Sequence, residues 1–334
     1  MRAWQIVSDR GIDALKLAEV ASPEPGPGAV RVRMRANSIN DRDLLTVRDP
    51  AGRKLPYPRI PNSCGAGEVT ALGAGVTGVE VGDRVASCFF QNWSDGSCSA
   101  EAMASALGGA LDGVLAEEVV LTAGGVIPIP AHLSFAQAAT LPCAGLTAWN
   151  ALTEAHRTRP GDTVLLLGTG GVSIFAMQFA ALLGARAIIT SSSDAKLSRA
   201  KALGAWGTIN YRTRPDWEQA VLELTEGRGV DVTVEVGGGG TLAKSIVATR
   251  IGGTISLIGV LSGGQIDPAT FMRRSIRMQG IYCGSRRMFQ DMNRAIAASG
   301  LVPIIDHVFA FEDARAAYHA MAEAGHFGKL AIGM

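Results

Sequence analysis

The sequence predicts an α/β protein of two domains, a mainly β domain and a doubly wound parallel sheet of six strands. Three observations predict it. The chain has 334 residues, more than the roughly 100 to 200 that one ordinary core uses. Up to about residue 125 it consists of short β-type runs between turn signals, and from about residue 145 strands alternate with helical stretches, the texture of βαβ units. Glycine contributes 41 residues, about twice the usual ~7 %, with no Gly-X-Y period, which suits tight turns and close backbone approaches.

In the first part the β-type runs are 30–34, 67–71, 82–87 and 118–121. The second part holds an uncharged stretch from Thr163 to Ala185, long enough by length alone to suggest a membrane span. Gly168, Gly170 and Gly171 divide it into a buried strand at 163–167, a turn, and a helix at 172–183 whose Val172, Phe175, Ala176, Phe179 and Leu183 recur at helical spacing. Further strands are expected at 187–190, 208–210, 230–236, 254–260 and 278–282, with helices such as 195–203 and 217–224 between them, which completes the doubly wound sheet. After Arg286 the chain reads helix, short extended piece, helix and final strand, most economically placed back on the first domain. The expected division is 1–144 with 285–334 for the β domain and 145–284 for the sheet domain.

Charge narrows the function classes. Lys plus Arg is 31 and Asp plus Glu is 30, a net charge of +1, so no broad field is available for a phosphate backbone or an anionic membrane. Neither nucleic acid nor a membrane is an expected partner. Asp9 and Arg10 follow a short apolar run at the N-terminus, unlike a secretory signal, and a cytoplasmic location is expected. The five cysteines, Cys64, Cys88, Cys98, Cys143 and Cys283, are odd in number, scattered and without a CxxC pair, which argues against a disulfide scaffold and a Cys-rich zinc lobe. The first of the five histidines is His132, so the β-type region before it has none.

The loop Gly168-Thr169-Gly170-Gly171-Val172-Ser173 lies between an expected strand and an expected helix, the context of a dinucleotide-binding turn. Gly168 would permit the turn and Gly170 would let backbone approach a pyrophosphate at the helix N-terminus, while Ser173 takes the third glycine position. At the end of the second strand, where an acid would meet the ribose 2′-hydroxyl of NAD, stands Ser191. Without that carboxylate, Ser191, Ser192 and Lys196 would favour the 2′-phosphate of NADP(H), with Tyr211 and Arg212 as neighbours. The plainer alternative is a polar loop with Asp194 capping the next helix. Gly237 and Ile258-Gly259-Val260, at the ends of later strands, join the expected cofactor set.

With these residues in view, the chain resembles the medium-chain dehydrogenase/reductase superfamily, in particular its zinc-free quinone and enone reductase branch. The resemblance is carried by Asn37-Ser38-Ile39-Asn40-Asp41-Arg42-Asp43-Leu44, Gly65-Ala66-Gly67-Glu68-Val69, Val81-Gly82-Asp83-Arg84-Val85, Leu141-Pro142-Cys143-Ala144-Gly145-Leu146-Thr147-Ala148-Trp149, the Gly168 loop and Phe327-Gly328-Lys329. It implies a GroES-like catalytic β domain with a Rossmann domain, and it adds Gly328 and Lys329 to the cofactor set. Zinc alcohol dehydrogenases of the superfamily hold their metal with a Cys, a His followed by Glu, and a second Cys. Here those positions carry Asn40, Ser63-Cys64 and Cys143, short of three protein ligands, and no metal is expected. Cys64 and Cys143 then read as small buried thiols.

Without a metal, hydrogen-bond donors must polarise the substrate carbonyl, and Asn40 and Tyr57 are the catalytic candidates. Tyr57 reads alternatively as a surface-packed aromatic, and Asp41 as a local ion pair with Arg42. The leading expectation is an NADPH-dependent oxidoreductase acting on a small carbonyl, enone or quinone. The alternatives are an alcohol or aldehyde dehydrogenase with a divalent metal on Cys64, Cys143 and a third ligand, and a cofactor-binding protein with a structural or regulatory role. A homodimer is expected, because residues 279–284 read as an apolar last strand at an open sheet edge.

Overall fold

Alternation of side chains builds the first sheet. In strand Ala29–Ser38 the apolar Val30, Val32, Met34 and Ala36 are buried while Arg33 and Arg35 face outward, the two-residue period of a half-buried strand. It pairs antiparallel with Cys64–Leu72, Glu118–Thr122 and Lys329–Gly333. The computed structural model describes residues 1–334, and these divide into two units, Met1–Leu146 with Cys283–Met334, and Thr147–Tyr282. The boundaries fall after 146 and 282, where the sequence reading puts them after 144 and 284.

The first unit carries a seven-stranded sheet in the order Ile305–Ala310, Lys329–Gly333, Ala29–Ser38, Cys64–Leu72, Arg84–Ser87, Val126–Pro128, with Glu118–Thr122 joined to Ala29–Ser38. Val30, Val32, Met34, Val69, Val85 and Val119 form one core, and Trp4, Ile6, Leu15, Ile39, Leu115 and Tyr318 another. The last fifty-odd residues contribute helix Arg286–Ser299, capped by Ser285 and closed by Gly300 at φ 68°, then strand Ile305–Ala310, helix Ala314–Glu323 and strand Lys329–Gly333. The two strands join the first sheet. The hairpin partners Arg2–Gln5 and Lys16–Glu19 and the helix Asp41–Arg48 were not anticipated.

The second unit is a six-stranded sheet in the order Gly207–Asn210, Arg186–Ser191, Thr163–Leu166, Val230–Glu235, Thr249–Leu257, Arg277–Gly280, with every adjacent pair parallel. Thr163–Leu166 is buried throughout, as a strand covered on both faces should be. The chain order reverses between Thr163–Leu166 and Val230–Glu235, and in such sheets ligands bind outside the strand ends at that reversal. The fifth strand starts at Thr249, five residues before the expected 254, because Gly252 and Gly253 break the apolar pattern where the register shifts. The sixth strand corrects the sequence reading more sharply. It ends at Gly280, all of Arg277–Gly280 is exposed rather than apolar, and Cys283 and Gly284 belong to the first unit. No helix is long and apolar enough to cross a membrane.

One contact in the second unit makes stability depend on pH. His156 is held with Nδ1 3.1 Å from Thr254 Oγ1 and Nε2 3.3 Å from Asp162 Oδ2. Burial pushes its pKa below the usual value, against the pull of Asp162. The unfolded chain therefore takes up this proton at a higher pH than the folded chain. The contribution is intact above about pH 6.5 and is lost as pH falls through and below that value. Urea unfolding at pH 7.5 and 5.5 should show a larger loss for the wild type than for His156→Gln.

Candidate functional site

The glycine loop of the second unit has the geometry its sequence calls for. Gly168 sits at φ 72°, in the left-handed region, and donates its N–H to Thr190 Oγ1 on the second strand at 3.2 Å. Gly170 is the N-cap of helix Gly171–Leu182. A Cβ at Gly168 or Gly170 would meet nothing within 4 Å, so the space over the loop is open where backbone N–H groups and the helix N-terminus favour an anion. Ser173 fits the third glycine position because its hydroxyl donates to Leu167 O at 2.7 Å and is buried between helix and strand. Thr169 is buried beside it and Val172 half-buried.

The end of the second strand carries no carboxylate. Ser191 is paired in register with Asn210, accepts the Tyr211 N–H on its carbonyl at 3.1 Å, and accepts the Ser193 N–H on Oγ at 3.3 Å. Ser191, Ser192, Tyr211 and Arg212 thus lie at adjoining strand ends, with Lys196 in the first turn of helix Asp194–Ala202. The cap of that helix is Ser193, whose Oγ accepts the Lys196 N–H at 3.4 Å, and not Asp194, which turns aside to accept from Asn210 Nδ2 at 2.7 Å.

Glu235, which the sequence reading missed, organises the other strand ends. Its buried carboxylate accepts from the N–H groups of Gly237 and Gly238 at 2.7 and 3.0 Å and from the hydroxyls of Thr241 and Ser245, while its carbonyl accepts from Ile258 and Gly259 at 2.8 and 2.9 Å. Gly237, Ile258 and Gly259 are thereby joined, and Val260 projects with 79 % exposure. The available signal was an acid ending an apolar strand one residue before the glycine run Gly237–Gly240.

In the first unit, Asn40 ends the extended segment and caps helix Asp41–Arg48. Asp43 Oδ2 accepts both its backbone N–H and its Nδ2, each at 3.0 Å, and Nδ2 also donates to Cys64 Sγ at 3.2 Å. Asn40 Oδ1 accepts from Lys329 Nζ at 2.7 Å, and Lys329 also donates to Ile39 O. Cys64 is hydrogen-bonded to Cys143 and Cys143 to Cys283, whose Sγ reaches Pro142 O at 3.0 Å. The thiols at 64 and 143 therefore meet, and Cys283 joins them from 140 residues further along the chain. Ser63 Oγ donates to Asp43 Oδ1 at 3.3 Å.

Burial and these bonds shift the proton affinities of the cluster. Burial, and then the bond to Cys143, push the Cys64 thiol well up; the bond to Cys283 raises Cys143. Burial lowers the Lys329 ammonium, against the thiols and the carboxylates of Asp43 and Asp41. The set fits a catalytic zinc poorly. Zinc needs three deprotonated or neutral protein ligands around one open position, and no three His, Cys, Asp or Glu side chains are placed to hold an ion here.

The structure also bears on readings of single residues. Both Nδ2 hydrogens of Asn40 are committed to Asp43 and Cys64, so its expected part as a direct donor to substrate lacks a free proton. Tyr57 is 43 % exposed on its loop and makes no hydrogen bond to the Asn40 cluster. Arg42 pairs with Asp43 at 3.3 Å instead of Asp41, because it also donates to Leu107 O and stacks over Phe89, which draws it away. Lys329 and Gly328, expected at the cofactor, stand at this cluster and on the loop before it.

Comparison with known proteins agrees with this architecture. A family model described as an alcohol dehydrogenase GroES-like domain matches residues 26–131, and one described as a zinc-binding dehydrogenase matches residues 171–298. A zinc-type alcohol dehydrogenase-like protein of Schizosaccharomyces pombe is 41 % identical over 331 residues, covering 96 % of each chain. A quinone oxidoreductase of Pseudomonas aeruginosa is 34 % identical over 263 residues, 78 % of this chain and 73 % of its own. A crystal structure of an NAD-dependent alcohol dehydrogenase superposes with a TM-score of 0.92 at 36 % identity, covering 100 % of both chains. The fold and these likenesses define an oxidoreductase with a GroES-like and a Rossmann-like sheet. The chain belongs to the medium-chain dehydrogenase/reductase superfamily, whose members use a nicotinamide cofactor.

Proposed function

We propose that the protein is a zinc-independent, NADPH-dependent reductase that transfers hydride to an activated double bond or a quinone. The observation that carries this reading is the Asn40 cluster. Where a zinc enzyme of the superfamily would present its ligands, this chain has an engaged amide, protonated thiols and a buried ammonium. A substrate whose carbon is already electrophilic by conjugation needs no Lewis acid, only stabilisation of the charge that develops on its oxygen. The second unit takes the cofactor, its pyrophosphate at Gly168 to Ser173 and its ring portion toward Gly237, Ile258, Gly259 and Val260.

NADP(H) is favoured over NAD(H) because Ser191 leaves no carboxylate to repel a 2′-phosphate, and Ser192, Lys196 and Tyr211 offer donors. The NAD dependence in the name of one relative belongs to that relative. A second reading, an alcohol or aldehyde dehydrogenase loaded with a divalent metal, draws support from the meeting of Cys64 and Cys143. NADPH oxidation with a panel of enones, quinones and aldehydes tests the choice. Turnover confined to enones or quinones supports the proposal, and turnover confined to aldehydes favours the second reading.

We also propose a homodimer. The edge strand Arg277–Gly280 is exposed and pairs on one side only, which leaves its other edge open to a two-fold copy. Light scattering at micromolar concentration should give twice the 34.8 kDa chain mass. A monomer would contradict this.

A further inference from the structure

The ammonium of Lys329 is unusual in its surroundings. It is 4 % exposed, on the first residue of the last strand, and two of its three protons go to Ile39 O and Asn40 Oδ1. An amide can be turned either way round by its neighbours. With Lys329 on Oδ1, the Nδ2 group of Asn40 has to face Asp43 and Cys64, and both bonds are made. Replacing the lysine by a neutral chain would leave Oδ1 buried without a donor and free the amide to turn.

We propose that Lys329 is a positioning residue for the reduction. It fixes the direction of the Asn40 amide and places an ammonium, held by Ile39 O and Asn40 Oδ1, beside the residues that in zinc enzymes of this superfamily would surround the metal. The inference rests on the reductase reading for its catalytic part and on geometry alone for its structural part. A fixed cation in a site screened from water favours a transition state in which negative charge grows on the substrate oxygen, and it does so without touching the substrate. It also disfavours a divalent cation among Cys64 and Cys143, since two positive charges would share one buried space.

Two variants and two readouts test this. Lys329→Met keeps the length and removes the charge, and Lys329→Arg keeps the charge. Hydrogen–deuterium exchange over residues 39–44 reports whether Asn40 is held, independently of turnover. Steady-state kinetics with an enone or quinone, alongside fluorescence titration of NADPH, report whether the charge serves the chemistry. The expected result is faster exchange and a fall in kcat of about 100-fold in Lys329→Met, with NADPH affinity within about threefold of wild type. Lys329→Arg should restore most of both. Unchanged exchange in Lys329→Met would overturn the positioning role. Unchanged kcat, a loss falling on NADPH affinity instead, or an arginine variant as impaired as the methionine one would overturn the catalytic role. If wild type reduces no enone or quinone, the reductase reading fails, and the exchange data still decide whether Lys329 holds Asn40.

Discussion

Gly259→Ala should destabilise the protein by about 3 kcal/mol, at the upper end of what overpacking costs. A Cβ at Gly259 would stand 1.8 Å from Val236 O, 2.0 Å from its carbonyl carbon and 2.7 Å from Gly237 N, all backbone atoms that no side-chain rotation can remove. Either the fifth strand end or the Val236–Gly237 turn has to move. That movement breaks the N–H bond from Gly259 to Glu235 O at 2.9 Å and disturbs the carboxylate on which Gly237 and Gly238 depend. Gly263→Ala, four residues on, is the control: its Cβ would meet nothing within 4 Å, and its stability should stay within about 0.5 kcal/mol of wild type. Thermal unfolding should place the two variants roughly 4 °C apart. NADPH should also bind Gly259→Ala more weakly, since the expected ring site is the part displaced.

Ser191→Asp should weaken NADPH binding by about 10- to 100-fold while leaving NADH binding unchanged or tighter. Ser191 lies 4 % exposed at the end of its strand, next to Asn210 in register. A carboxylate there would face the 2′-phosphate in place of a hydroxyl, losing a donor and adding like-charge repulsion. It would meet the ribose 2′-hydroxyl of NADH as an acceptor. Titration of each cofactor against both proteins checks the expectation. Equal weakening of NADPH and NADH would mean that the substitution damaged the fold instead.

The parts of the fold that sequence revealed are those written in local periodicity. Strand Thr163–Leu166, the Gly168 turn and helix Gly171–Leu182 follow one another within twenty residues, and their punctuation is glycine. The fifth strand was shortened in the reading because Gly252 and Gly253 carry no side chains to show an alternating pattern. The cap at Ser193 was missed in favour of Asp194 because both are good capping residues and the choice depends on Asn210, a residue on another strand. The Asn40 cluster was half legible. Asn40, Ser63, Cys64 and Cys143 were picked out, but Cys283 and Lys329 reach them across 140 and 289 residues of chain, and nothing in local spacing encodes such a meeting.

The central claim is that hydride transfer here needs no metal. The measurement that tests it most directly is the zinc content of the purified protein, taken with its NADPH-dependent enone or quinone turnover before and after a strong chelator. Asn40 and Ser63 are weak neutral ligands, and Cys64 and Cys143 hold their protons in a chain of hydrogen bonds beside Lys329. The account predicts substoichiometric zinc and turnover that the chelator leaves intact. Near-stoichiometric zinc, with alcohol oxidation abolished by the chelator and restored by added metal, would contradict it.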